Sequence, residues 1–186
     1  IDKKQLSLDD PIAKWLPKFG CPVVRCNGDL VEAETPIRVK HCLGHTSGIG
    51  YCKFLEHRQR QQNGELYDGL MRRARLGRTS PEDPEAITDL EQWCEELAEI
   101  PLEFHPGRRW LYSHSHDLLG RILEIVSGDK RLDDVLKELV LDPLGMRDTS
   151  FSVPEHKQHR VGVIYQRRES DGYLVPVESS MGPKRH

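Results

Sequence analysis

Apolar positions along the chain recur at two spacings, and each predicts an element. Leu90, Trp93, Cys94 and Leu97 stand at i, i+3, i+4 and i+7, one stripe of a helix. Thr88-Asp89-Leu90-Glu91 ahead of it reads as a capping box, with Thr88 bonding the N3 amide and Glu91 reaching back. Leu118, Leu119, Ile122, Leu123, Ile125 and Val126 predict a second helix, stopped at Ser127-Gly128. Leu132, Val135, Leu136, Leu139 and Val140 predict a third. Shorter apolar pieces around Asn27-Gly28, from Val23 to Val31, predict a β-ribbon, because Asn-Gly accepts the positive φ of a tight turn. Val161–Arg167 and Tyr173–Val177 flank Ser170-Asp171-Gly172 as a second hairpin. Near the start, Asp9 or Asp10 is placed to cap a helix with Pro11 at its first position and Ile12, Trp15 and Leu16 on its face, until Pro17 ends it. The charged stretches 51–62 and 66–76 are helix-prone, and Arg72, Arg73, Arg75 and Arg78 read as a solvated face.

Composition narrows the class. The 186 residues are 31% charged and 37% hydrophobic, so one domain with a real core is expected over residues 1–186. A net charge of -3 gives no reason to expect nucleic acid. No apolar run approaches the ~20 residues that span a bilayer. Five cysteines, at 21, 26, 42, 52 and 94, are an odd count without framework spacing, which fits free thiols and leans toward an intracellular setting. Cys21-x4-Cys26 with Cys42-x2-His45 admits zinc as a guess, but the interval holds a hairpin signal and not a finger helix, so no metal is expected. His114 and His116 together would offer only two ligands, a poor site.

The candidate chemistry lies in His105-Pro106-Gly107-Arg108-Arg109-Trp110-Leu111-Tyr112-Ser113-His114. A Pro-Gly turn leads to three polar side chains, Tyr112, Ser113 and His114, on the lip of an apolar helix. From residue types alone this reads sooner as a polar first turn in which Ser113 or Ser115 caps the helix. His45-Thr46-Ser47-Gly48 carries a nucleophile type beside a base type, yet sequence shows neither reach nor an orienting third group.

Four phrases, in order, resemble the serine β-lactamase and penicillin-binding-protein superfamily in its class C and esterase-like branch. They are Leu6-Ser7-Leu8-Asp9-Asp10-Pro11, the run from Ile37 to Gly48 ending in His-Thr-Ser-Gly, the Tyr-x-Asn-like Tyr112-Ser113-His114, and Pro143-Leu144-Gly145-Met146-Arg147-Asp148-Thr149. The resemblance runs from about Leu6 to about Val177 and implies an α+β fold, mainly α: the helical subdomain of the β-lactamase/transpeptidase-like fold with small β-hairpins. It implies a hydrolase working through an acyl-enzyme on β-lactam, ester or peptide, with a small-molecule or peptide substrate and no cofactor. Tyr112 would be the general base, aided by lysine. A phenol's ordinary pKa of about 10 is too high for that task until cations lower it. Ser113 and His114 complete the element, and His114 stands where the family has Asn. The amide offers two donors and an acceptor, the neutral imidazole one of each. The His-Thr-Ser-Gly phrase would support the fold.

The family's other two elements are Ser-x-x-Lys and a Lys-Thr-Gly or His-x-Gly strand. Ser127-Gly128-Asp129-Lys130 has the first spacing, but Gly128 at a helix end removes the turn that would align the pair. No Lys-Thr-Gly occurs. The chain is therefore expected to be the helical middle of a larger hydrolase, inactive alone and liable to pair with itself through uncovered apolar surface. A non-catalytic interaction or pseudoenzyme domain on the same scaffold is the alternative.

Overall fold

The computed structural model describes residues 5–50, 87 and 89–176. The chain divides into two compact units, Ile1–Val135 and Leu136–His186. The α+β, mainly helical class expected from the sequence is what the chain adopts. The charged segments 51–62 and 66–76, with the arginine run, lie outside the described residues.

In the first unit, Pro11–Trp15 does not form the capped helix that its sequence suggests. The Asp10 carboxylate accepts from the Ser7 amide at 3.0 Å and so closes the preceding turn instead. Two 3-10 turns follow, Ile12–Lys14 and Pro17–Phe19. One turn each suffices to bury Ile12, Leu16 and Phe19. The Ile12 amide is donated to the Ile37 carbonyl at 2.9 Å, tying this segment to the approach of the short helix α1, Val39–Leu43.

Strand β1, Val23–Cys26, pairs antiparallel with β2, Asp29–Glu32, in the register Val23 to Glu32 through Cys26 to Asp29. Asn27 at φ 51 and Gly28 at φ 97 make the turn that Asn-Gly predicted. On its other side β1 meets a single residue: the Arg25 amide reaches the Leu102 carbonyl at 2.9 Å, and the Leu102 amide reaches Val23 at 2.8 Å.

Helix α2, Leu90–Ala98, and helix α3, Ser115–Val126, carry the apolar stripes read from the sequence. The cap of α2 is Asp89, whose side chain accepts the Gln92 amide at 2.8 Å, one residue later than the predicted Thr88 box. Thr88 lies outside the described residues. Helices α1 and α2 both pack on α3. Ile12, Val24, Ile37, Val39, Cys42, Leu97, Leu118 and Ile122 form the centre of one core. At the end of α3, Gly128 and Asp129 both take positive φ, at 82° and 56°. Two left-handed residues thus separate Ser127 from Lys130, and the Ser-x-x-Lys spacing there is not a helical face.

Helix α4, Leu132–Leu136, is shorter than the sequence stripe predicts. It gives way to a π-turn over Lys137–Leu141, which rotates the register and leaves Leu139 and Val140 exposed. In the second unit strand β3, Tyr165–Arg167, pairs antiparallel with β4, Leu174–Pro176, in the register Tyr165 to Pro176 through Arg167 to Leu174, around the predicted turn. Asp148 gathers Lys157 at 2.9 Å and Arg160 at 2.6 Å.

Candidate functional site

The site is built by laying one loop along another. Residues 45–48 present acceptors and residues 103–113 present amides. The Leu111 amide is donated to the His45 carbonyl at 2.9 Å, Gly107 to Thr46 at 2.7 Å, and Glu103 to Gly48 at 2.7 Å. The Ser113 amide goes to His45 Nδ1 at 3.3 Å. The approach at Gly48 is close enough to need glycine: φ is +86°, and a Cβ there would stand 2.2 Å from the Phe104 carbonyl oxygen.

His45 itself holds a left-handed backbone, φ 51, although it is not glycine. Its ring is the centre of an aromatic group. Tyr112 lies tilted against it with centroids 4.8 Å apart, His116 meets it edge-on at 4.4 Å, and Trp110 edge-on at 6.3 Å. Burial, with the neighbouring His116 second, lowers the His45 imidazole below its ordinary value.

Beneath this group runs a buried line of hydroxyls. Ser113 Oγ is 2.6 Å from Ser115 Oγ, and Ser115 Oγ is 2.7 Å from Ser47 Oγ. Ser47 Oγ also accepts the Ile49 amide at 3.1 Å. Ser47 in the His-Thr-Ser-Gly phrase is therefore 1% exposed and engaged, a support for the loop.

The three residues singled out in sequence take three different surroundings. Tyr112 is exposed, with 46% of its surface open. Ser113 turns inward to Ser115. His114 begins α3, with its ring edge-on to Trp93 at 5.1 Å and its Nδ1 3.3 Å from Asp117 Oδ2. His116 faces His45, so His114 and His116 do not converge. Ser115, Ser47, His45 and His116 were not among the catalytic candidates. The His-Thr-Ser-Gly phrase pointed at His45 and Ser47, while the pairing of these two with His116 and Ser115 is set by tertiary contact.

The residues behind the zinc guess take separate surroundings. Cys42 is fully buried, with its thiol pushed up to about 12 by burial, and Cys26 lies beside His105, Sγ to Nε2 3.7 Å. Among the described residues no three His, Cys, Asp or Glu side chains converge as a metal set. No helix there is long and apolar enough to cross a membrane.

Comparison with known proteins bears on the family and the fold. The family model described as Beta-lactamase matches residues 1–184. Esterase EstB of Burkholderia gladioli is 33% identical over 187 residues, 98% of this chain and 42% of that protein. The solved structure of EstCE1, described as a hydrolase with promiscuous acyltransferase activity, superposes with a TM-score of 0.69 at 31% identity, over 97% of this chain and 41% of that one. A simvastatin synthase mutant from Aspergillus terreus shares the fold, with a TM-score of 0.68 at 23% identity over 96% of this chain and 39% of its own. The chain thus spans about two fifths of the length of the relatives it matches.

Proposed function

The chain belongs to the Beta-lactamase family, and from that membership and the surroundings of Tyr112 we propose that it supplies the general-base element of a serine ester hydrolase or acyltransferase. The observation that carries this reading is the placement of Tyr112. Its ring is exposed, while the backbone on both sides of it is fixed, by Leu111 to the His45 carbonyl and by Ser113 to the His45 ring. A group that must take a proton in a transition state needs that combination of access and rigidity.

In this reading a serine attacks the carbonyl of an ester, β-lactam or peptide. Tyr112, as the phenolate, receives the serine proton; the ester C–O or amide C–N bond breaks, the leaving alcohol or amine takes that proton, and the acyl-enzyme is left. Water or an alcohol then gives its proton to Tyr112, attacks the acyl group and releases it as the serine recovers its hydrogen. Ser113 keeps Tyr112 in place through its amide and its inward hydroxyl, and His114 flanks the substrate position. A Ser-x-x-Lys helix and a Lys-Thr-Gly-type strand would join this element from segments other than these 186 residues, and the chain alone would be inactive. EstB is named an esterase and EstCE1 a hydrolase with acyltransferase activity, which favours short esters as first substrates.

The test is hydrolysis of p-nitrophenyl butyrate and of a chromogenic cephalosporin by the whole gene product, with and without Tyr112→Phe. The substitution is expected to lower kcat about 10²–10⁴-fold. A Tyr112→Phe protein with unchanged turnover would remove Tyr112 from the chemistry.

The second reading, a non-catalytic binding domain, draws on His114, whose ring is taken up by Trp93 and Asp117 where the family carries an amide. Absence of turnover from the whole product would favour it. Leu144, Phe151, Ile164, Tyr173 and Leu174 are each exposed, and through such apolar side chains copies of the 186-residue chain would pair, as light scattering would detect.

A further inference from the structure

We infer that His45 is a positioning residue for Tyr112: its neutral ring holds the phenol-bearing segment, and a proton on Nδ1 undoes the hold. The inference rests on the reading of Tyr112 as the general base.

The geometry carries it in three steps. First, Nδ1 receives the Ser113 amide at 3.3 Å. An imidazole nitrogen accepts only with a lone pair, so Nε2 carries the ring hydrogen while this bond exists. Second, the ring is aimed by its own backbone. The left-handed φ of 51 is kept in place by Leu111, whose amide is donated to the His45 carbonyl at 2.9 Å. A strained residue held by the very segment it supports points to a task at that segment. Third, the ring is the surface on which Tyr112 lies, at 4.8 Å between centroids.

Protonation turns Nδ1 into a second donor. It then faces the Ser113 N–H, donor against donor, and the bond is lost. The groups around His45 are His116 from α3 and Trp110 and Tyr112 from the loop before it. Burial first, and the neighbouring His116 second, disfavour a charge on the His45 ring. His45 therefore stays neutral at pH 7, and its effect appears on the acid side.

The experiment has an arm that does not use activity. In ¹⁵N-labelled 186-residue chain, the Ser113 amide resonance is followed from about pH 5 to 8, the range in which histidines titrate, together with the His45 ring proton. Both are expected to move with one midpoint, below that of an ordinary histidine. In His45→Asn the Ser113 step disappears while the amide stays dispersed, because Asn accepts a left-handed backbone and keeps an oxygen acceptor that does not titrate. In the whole gene product, kcat for p-nitrophenyl butyrate should fall about tenfold per pH unit below that midpoint with KM unchanged, and His45→Phe should lower kcat by about 10²-fold, the cost of a misplaced catalytic group. A Ser113 amide that ignores His45 protonation, or a kcat untouched by His45→Phe, overturns the inference. An unchanged Tyr112→Phe enzyme would instead overturn the reading of Tyr112, whatever Ser113 does.

Discussion

Ser47 Oγ and Ser115 Oγ lie 2.7 Å apart, 68 residues distant in sequence, and both side chains are closed to solvent. One comes from the loop that carries His45 and the other opens the helix that follows Tyr112. Their bond is the pin between two family phrases. Each hydroxyl has a further partner, Ile49 N for Ser47 and Ser113 for Ser115.

Removing either hydroxyl leaves the other buried and short of a partner. Ser47→Ala and Ser115→Ala should each cost about 1–3 kcal/mol in urea unfolding. The double substitution should cost less than the two together, by a coupling of about 0.5–3 kcal/mol. Strict additivity would mean that the two hydroxyls do not act as a pair.

Gly48 and Gly28 both sit at positive φ, but only one is crowded. A Cβ on Gly48 would strike the Phe104 carbonyl oxygen at 2.2 Å, whereas nothing lies within 4 Å of one on Gly28. Gly28→Ala should cost only the left-handed backbone, about 1–2 kcal/mol. Gly48→Ala should cost clearly more, because the loop 103–113 must move off its template, and it should disturb the Tyr112 environment. Equal denaturation midpoints for the two variants would contradict the close approach.

What the sequence made legible was local. The Asn27-Gly28 turn, the stripe of Leu90, Trp93, Cys94 and Leu97, and the stop at Ser127-Gly128 each depend on a few adjacent residues, and each stands where it was expected. The Tyr112 segment was marked by its Pro-Gly turn and its family phrase. What failed to show is set by distant partners. Asp89 won the cap of α2 over Thr88, and Asp10 closed a turn onto Ser7 where a helix cap was expected. Leu139 and Val140 fit a helical stripe, yet the π-turn takes them out of it. The clamp of His45 on Ser113 joins positions 68 residues apart, and no periodicity announces such a pair.

Thiol reactivity should separate the cysteines by burial. Cys21 is exposed, whereas Cys42 is fully buried with its thiol pushed up to about 12, and burial raises Cys94 as well. Reaction requires thiolate, so a disulfide reagent at pH 8 should label Cys21 in the native chain and reach Cys42 and Cys94 only as the chain unfolds. Peptide mass mapping assigns the sites. Rapid native labelling of Cys42 would show that the core around α1 opens easily.

Asp148 gives a pH dependence of known sign. Hydrogen bonds from Arg160 and then Lys157 hold its carboxyl below the ordinary carboxylate range. The folded value is depressed, so the stabilisation is present above the unfolded value of about 3.9 and is lost as pH falls through the folded one. Because all three groups are solvent-facing, the effect should be modest and weakened by salt. Asp148→Asn at pH 7 should speed amide exchange in the 3-10 turn Glu155–Arg160, and the wild-type chain should approach that rate only in strong acid. A variant with unchanged exchange in that turn would show the three-residue cluster to be ornamental to its stability.

His114→Asn restores the family residue, and the structure sets two opposed effects. The native ring is 19% exposed, edge-on to Trp93 at 5.1 Å and 3.3 Å from Asp117. Asparagine loses the aromatic contact, worth about 0.5–1.5 kcal/mol, but asparagine is the stronger helix cap at the first position before α3. The first effect should prevail in stability, because capping differences among polar residues are smaller, so the denaturation midpoint should fall. In turnover the order should reverse. An amide no longer drawn to Trp93 can offer its two donors toward the Tyr112 side, and ester hydrolysis by the whole product should rise. If the midpoint falls while turnover stays flat, His114 serves the packing of α2 on α3 and not the reaction.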